Sequence, residues 1–267
     1  MKNLELYEKI ELPAGVREKL NAYEKGKTFV IPVELRDRIL CRGTWEEAIK
    51  ELQGALEPDE DGMKILWELL NIVCGYTYGE YVQRNIPEDV FIATMKFCTR
   101  FLEEHYERYG VYKFSSAWWF PRQMSLLEYR VGALEYEFID GEQREISLHI
   151  PADADLRSPS VLKSIEEFRG FMELYYPEWK NVRMVCETWM LAPAMEELLS
   201  EGSNVLAFKH LFELEEIDEA ATWFMGWIYP GYEEIDENLP EKTSLQRRMK
   251  AHLLEGKKVG VAKGYLK

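Results

Sequence analysis

Between Leu126 and Ile150 the chain alternates apolar and polar residues in three short runs, with the two-residue period of half-buried strands. The runs are Leu126–Arg130, Ala133–Ile139 and Glu145–Ile150. Val131-Gly132 separates the first two. Asp140-Gly141 predicts a tight hairpin turn between the second and third, because both residues tolerate the positive φ that such turns need. Pro151 closes the third run. Ser158-Pro159 predicts a helix start, with a hydroxyl to cap it and a proline where no amide hydrogen is required. That helix should reach about Tyr175 and stop at Pro177, and Val182–Leu191 reads as strand again. A strand, a crossover helix and a second parallel strand predict a mixed sheet with a right-handed crossover.

The flanking segments change period. Residues 1 to about 110 read as helices: Ile10–Glu24, a helix after Thr44-Trp45-Glu46-Glu47 with a capping box, and a stripe at Ile65, Leu66, Leu69, Leu70 and Val73. A further helix starts at Pro87-Glu88-Asp89 and ends at Gly110. No sheet of three or more strands is expected there. After Leu191, a short helix from Ala192 closes at Gly202, and Ser203 caps another turn to Phe208. His210–Ile217 and Thr222–Tyr229 alternate as an antiparallel pair would, and Thr243-Ser244-Leu245-Gln246 predicts a capping box leading a basic helix to Leu254.

With 46% apolar and 13% aromatic residues, the 267-residue chain can bury a sizeable core and has room for two domains. The longest charge-free run, Ala220–Tyr232, is too short to span a membrane, and the N-terminus lacks the apolar stretch of a signal peptide. Cys41, Cys74, Cys98 and Cys186 lie far apart without CxxC spacing, which suits reduced thiols in a cytoplasmic protein. Neither they nor the four histidines have metal-ligand spacing, so no metal is expected. A net charge of −15 argues against nucleic acid as partner. Charge is also segregated. Residues 241–267 hold eight basic and two acidic side chains, a net +6 beside −21 on the remainder. Such a tail either folds against an acidic body or contacts an anion.

Three antiparallel strands, a helix, a parallel strand, a second helix and two more strands is the order of the GNAT acyltransferase superfamily. Leu148-His149-Ile150-Pro151, Leu239-Pro240-Glu241-Lys242-Thr243-Ser244-Leu245-Gln246-Arg247 and Leu253-Leu254-Glu255-Gly256 resemble motifs of one bacterial "acyltransferase domain-containing" family. The resemblance implies an α+β or α/β chain: a helical N-terminal domain, about residues 1–110, followed by a GNAT-like mixed-sheet domain flanked by helices, about residues 111–267. It further implies an N-acyltransferase using acyl-CoA, acetyl-CoA being the simplest, as cosubstrate with no permanently bound cofactor. A small-molecule or peptide amine would be the acceptor.

In GNAT enzymes the CoA pyrophosphate rests on a glycine-rich loop after the fourth strand. The matching segment here is Ala152-Asp153-Ala154-Asp155-Leu156-Arg157-Ser158, with Ile150 before it. It has no glycine and two aspartates, so Arg157 and the amides after Ser158 are its only groups that favour a dianion. Lys257, Lys258 and Lys263, interleaved with glycines in Gly256–Gly264, are the other phosphate candidates. Strand alternation puts His149 on one face with Glu145 and Ser147, at the end of its strand, where an ordinary pKa of about 6.5 suits proton transfer. Its competing role is that of a buried histidine bonded to backbone. Glu187 on the next strand is a second base, an orienter of His149, or the partner of a neighbouring cation. No tyrosine lies between Pro193 and Gly202 to protonate a thiolate. Trp118-Trp119, Trp223 and Trp227 either line a ligand groove or, as strand spacing favours, form core. Two alternatives to catalysis therefore stand: a GNAT-like scaffold that binds or regulates without reaction, and an interaction module working through its helical domain.

Overall fold

The 3.6-residue stripes of the first hundred residues form helices, as their period dictates. The computed structural model describes residues 1–267, in two units, Met1–Val131 and Gly132–Lys267. The first contains α1 (Asn3–Lys9), α2 (Ala14–Gly26), α3 (Val33–Ile39), α4 (Trp45–Leu56), α5 (Met63–Ile72), α6 (Tyr78–Gln83), α7 (Glu88–Met95), α8 (Phe97–Tyr109) and α9 (Pro121–Met124), then strand β1 (Glu128–Val131). No strand falls within residues 1–110. Helix α4 buries Trp45, Ala48, Ile49, Leu52 and Leu56, one stripe at helical spacing, whereas α5 is buried almost all round and forms the centre of its unit.

Local signals were overridden at three places. Ile10–Glu24 is not one helix, because the chain turns at Glu11 (φ 58°) and α2 begins after Pro13. The helix expected from Pro87 to Tyr109 breaks at Lys96 into α7 and α8. Thr44 caps nothing: its hydroxyl donates to the Arg38 carbonyl at 2.9 Å, since a lone side-chain donor can satisfy an upstream carbonyl as well as a helix end.

The second unit holds β2 (Leu134–Asp140), β3 (Arg144–His149), α10 (Ser158–Tyr175), β4 (Met184–Thr188), α11 (Met195–Leu198), α12 (Asn204–Lys209), β5 (Phe212–Asp218), α13 (Met225–Ile228), α14 (Ser244–Leu254) and β6 (Val261–Leu266). Its strands lie in the order β2-β3-β4-β6-β5. β2 and β3 are antiparallel, with Asp140 opposite Arg144 across the expected hairpin, and β3 pairs with β4 in parallel through the α10 crossover. One sheet face carries Leu134, Tyr136, Phe138, Ile146 and Leu148. Tyr136 stacks on Phe168 of α10 at 3.9 Å between ring centroids, and the Tyr136 hydroxyl lies 2.9 Å from Ser164 Oγ. A second core joins Trp189, beyond the end of β4, to Phe224, Met225, Tyr229, Leu239, Met249, Leu253, Val259 and Val261.

Two expectations fail here. Thr222–Tyr229 is not a strand; its buried Phe224, Met225 and Tyr229 follow helical spacing and its centre is α13. The partner of β5 is instead β6, a strand within the glycine- and lysine-rich tail read as a loop. Gly264 explains the disguise: a Cβ there would stand 2.8 Å from the Glu213 carbonyl, so glycine is needed where β5 bulges between Leu214 and Glu216. The capping box at Thr243 and Gln246 does form, as does the Ser203 cap, with Ser203 Oγ accepting from the Val205 amide. Ser158, by contrast, is the first residue of α10 and caps nothing.

Glu145 on β3 accepts from Lys263 Nζ of β6 at 2.9 Å and from Arg183, which also reaches Glu215 Oε1 of β5 at 2.6 Å. Burial alone would raise the Glu145 carboxyl, but hydrogen bonds from Lys263 and Arg183 outweigh it and hold the group below its ordinary range. A depressed carboxyl stabilises the fold above its unfolded pKa, near 4.3, and the benefit is lost as pH falls through the lower folded value. Glu145→Gln should therefore lower the melting temperature at pH 7, with the gap to the parent closing below about pH 4. Thermal scans between pH 3 and 8 check this, and a deficit independent of pH contradicts it.

Candidate active site at the splayed strand ends

The parallel pairing of β3 and β4 is short. Ile146 is level with Met184 and Ser147 with Val185, yet β3 runs on to His149 and β4 to Thr188. No β3–β4 register pair lies beyond Ser147 and Val185, so the ladder between the two strands ends there while each strand continues. Extending the register by two residues brings His149 level with Glu187, and alternation places both on one face. Asp218 at the end of β5 and Val261 at the start of β6 are register partners at this same edge, beside Thr188 with Ala262.

His149 is half-buried at that edge. Its Nε2 donates to Glu137 Oε2 at 3.1 Å, and the Glu137 side chain is only 5% exposed. The hairpin register makes this contact: Glu137 lies opposite Ser147 and Glu135 opposite His149, so Glu137 reaches His149 on the diagonal. The His149 ring is thus held by a buried carboxylate. Sequence reasoning missed Glu137, although the Asp140-Gly141 hairpin with strict alternation would have put it on the face of His149. Glu187 is exposed, and its register partner on β6 is Lys263, whose ammonium is taken by Glu145.

The phosphate candidates fall into two places. Ile150 follows β3 directly. In the next turn Asp155 accepts from the Arg157 amide at 3.1 Å, from Arg157 Nη2 at 2.6 Å and from Ser160 Oγ at 2.5 Å. Arg157 and Ser160 hold the Asp155 carboxyl well below the usual range. The turn is built by Asp155 in place of glycine, with Ser158 exposed behind it. Lys257 and Lys258 sit in the loop between α14 and β6, where Lys257 pairs with Glu255 at 2.8 Å and His252 Nε2 donates to the Lys258 carbonyl at 3.0 Å. Lys263 is a strand residue, apart from that loop.

Burial disfavours thiolate chemistry at two of the cysteines. Burial, with Glu187 adding to it, pushes the Cys186 thiol far up, and burial raises Cys74 to about 12, so both stay protonated at neutral pH. The tryptophan expectation is also corrected, since Trp118, Trp223 and Trp227 are exposed. Trp119 is half-buried and donates its Nε1–H to Glu128 at 3.0 Å.

A mixed sheet that splays beside a carboxylate-held histidine defines an α/β protein of the GNAT type. Residues 128–266 match the family model of the GNAT-like C-terminal domain, and residues 1–126 that of the N-acyltransferase N-terminal domain. The chain belongs to the family that joins these two domains. No curated protein matches it. Three solved structures share the fold over 98% of this chain and 86% of theirs. They are an acyltransferase in complex with decanoyl-CoA and teicoplanin (23% identity, TM-score 0.75), one with CoA and 10C-teicoplanin (23%, 0.76) and one with decanoyl-CoA (21%, 0.76). No helix is long and apolar enough to cross a membrane.

Proposed function

We propose that this protein transfers an acyl group from an acyl-CoA thioester to a small-molecule or peptide amine. The parting of β3 and β4 beside His149 is the observation that carries the reading. A pantetheine arm carries amides, and the strand ends beyond the last β3–β4 pair are where such an arm would meet main-chain groups. The amine nitrogen attacks the thioester carbonyl; a C–N bond forms, the C–S bond breaks, and the CoA thiolate leaves and takes up a proton. His149 accepts the proton that the amine loses, and the carboxylate of Glu137 supports the imidazolium that results. Acyl-CoA is a cosubstrate, not a resident cofactor. The acyltransferases of like fold, crystallised with acyl-CoA and a glycopeptide, support this class of reaction. Four free cysteines, three of them buried, suit a cytoplasmic enzyme.

Lys258, and Lys257 once it leaves its exposed pair with Glu255, are the cations we assign to the CoA phosphates, because the turn holding Arg157 carries two aspartates and no glycine. The experiment is calorimetric titration of acetyl-CoA and decanoyl-CoA, with thiol release followed over a panel of primary amines. Binding of either donor and amine-dependent release are expected. Replacing both lysines with alanine should weaken CoA binding on the order of tenfold at low ionic strength and less at high salt, where screening shortens the reach of exposed charges. Failure of both thioesters to bind overturns the reading. Binding without thiol release under any amine favours the non-catalytic scaffold, to which the glycine-free Asp155 turn lends support.

A further inference from the structure

Residues 219–241 leave β5 at the sheet edge where His149 stands, and they are built unlike a connecting loop. Their buried side is fixed: Phe224, Met225, Tyr229 and Leu239 enter the core around Trp189 and Val261, and the Tyr229 hydroxyl donates to the Gln246 carbonyl at 2.6 Å. Their outer side is aromatic and wet. Trp223, in the turn before α13, and Trp227, within it, are 44% and 56% exposed, and Tyr232 and Ile235 follow. Anchored indoles turned to solvent retain an unburied apolar area that an aromatic or aliphatic ligand would cover.

Charge selects the ligand. Residues 219–241 contain Glu219, Glu233, Glu234, Asp236, Glu237 and Glu241 and no basic residue. Lys250 neutralises Glu241 and Asp236 accepts from Asn238, whereas Glu233, Glu234 and Glu237, in the same segment as the indoles, are exposed. Next to this segment is its opposite. Gly260 (φ 71°) runs so close to β5 that a Cβ would lie 2.6 Å from the Asp218 carbonyl, which sets the loop carrying Lys257 and Lys258 against the start of the acidic segment. One edge thus offers a cationic loop to an anion and an aromatic, anionic face to a cation.

We propose that the aromatic face of residues 222–237 is the acceptor-docking surface, and that the acceptor is a cationic amine with an aromatic or aliphatic body. The inference rests on the acyl-transfer reading and adds to it the class of acceptor and where it docks. A CoA phosphate is repelled by these carboxylates, so the face belongs to the second substrate; an ammonium group is attracted by both the carboxylates and the indole faces.

Tryptamine is the probe, and indole-3-propionate, with the same ring and the opposite charge, is its control. Binding of each to the full-length protein is measured by calorimetry, alongside acetyl-CoA. The parent should bind tryptamine at least roughly tenfold more tightly than indole-3-propionate. Trp223→Ala with Trp227→Ala should weaken tryptamine roughly tenfold and leave acetyl-CoA affinity and melting temperature unchanged, since both residues are exposed. Glu233→Gln with Glu234→Gln and Glu237→Gln should abolish the preference between the two probes. Tryptamine that binds the indole variant as it binds the parent, or a parent that does not prefer or does not bind it, overturns the proposal. Acetyl-CoA binding reports separately on the acyl-transfer reading.

Discussion

His149→Ala is expected to lower kcat for acyl transfer by roughly 10²- to 10⁴-fold, the range that a positioned general base contributes. The melting temperature should move less by comparison, because the ring lies at a strand end and is only partly buried. Glu137→Gln separates positioning from packing. The amide keeps the size of the carboxylate and can still accept from Nε2, but it gives no countercharge to an imidazolium. Turnover should fall about tenfold with KM for the acyl-CoA unchanged, since Glu137 acts through His149 and not on the donor. Steady-state kinetics on both variants, with melting curves, decide the matter. Full activity in His149→Ala with a depressed melting point would return the histidine to a purely structural role.

Phe168→Ala should produce the largest loss of stability. The ring is wholly buried, stacks on Tyr136 at 3.9 Å and on Phe171 at 5.9 Å, and meets Phe138 obliquely at 5.9 Å between centroids. Truncation removes that contact and leaves a cavity that rigid neighbours cannot fill, at a cost of about 3–5 kcal/mol. At 2–4 °C per kcal/mol for a chain of this size, the melting transition should fall by roughly 10 °C. Phe168→Leu should recover most of the loss. A cost below about 1 kcal/mol for the alanine variant would show that α10 is not packed on the sheet as described. The consequence reaches function, because β2, which meets Phe168 through Tyr136 and Phe138, presents Glu137 from its other face.

Much of the second unit was legible because its signals are local. The hairpin at Asp140-Gly141, the stop at Pro177, the box at Thr243 and Gln246 and the crossover from β3 to β4 each depend on a few neighbouring residues and on steric rules that any context obeys. The same confidence misplaced Thr44, whose hydroxyl found an upstream carbonyl, and Thr222–Tyr229, where dense aromatic residues satisfy either period. β6 was unreadable for a different reason: Gly260 and Gly264 look like loop residues until β5 is seen to pass within van der Waals range of them.

The sequence by itself determined the helical first hundred residues, the hairpin and the parallel crossover, since hydrophobic period and backbone chemistry act over one to two turns of chain; the family was indicated by the resemblance of its motifs. It also singled out His149. Only the tertiary structure decided what surrounds that residue: the splay after Ser147 and Val185, the buried carboxylate of Glu137 twelve residues upstream, and the Lys257–Lys258 loop brought beside the end of β5. Those are relations between strands, and they follow from register and close packing summed over the whole sheet, which no window of the chain contains.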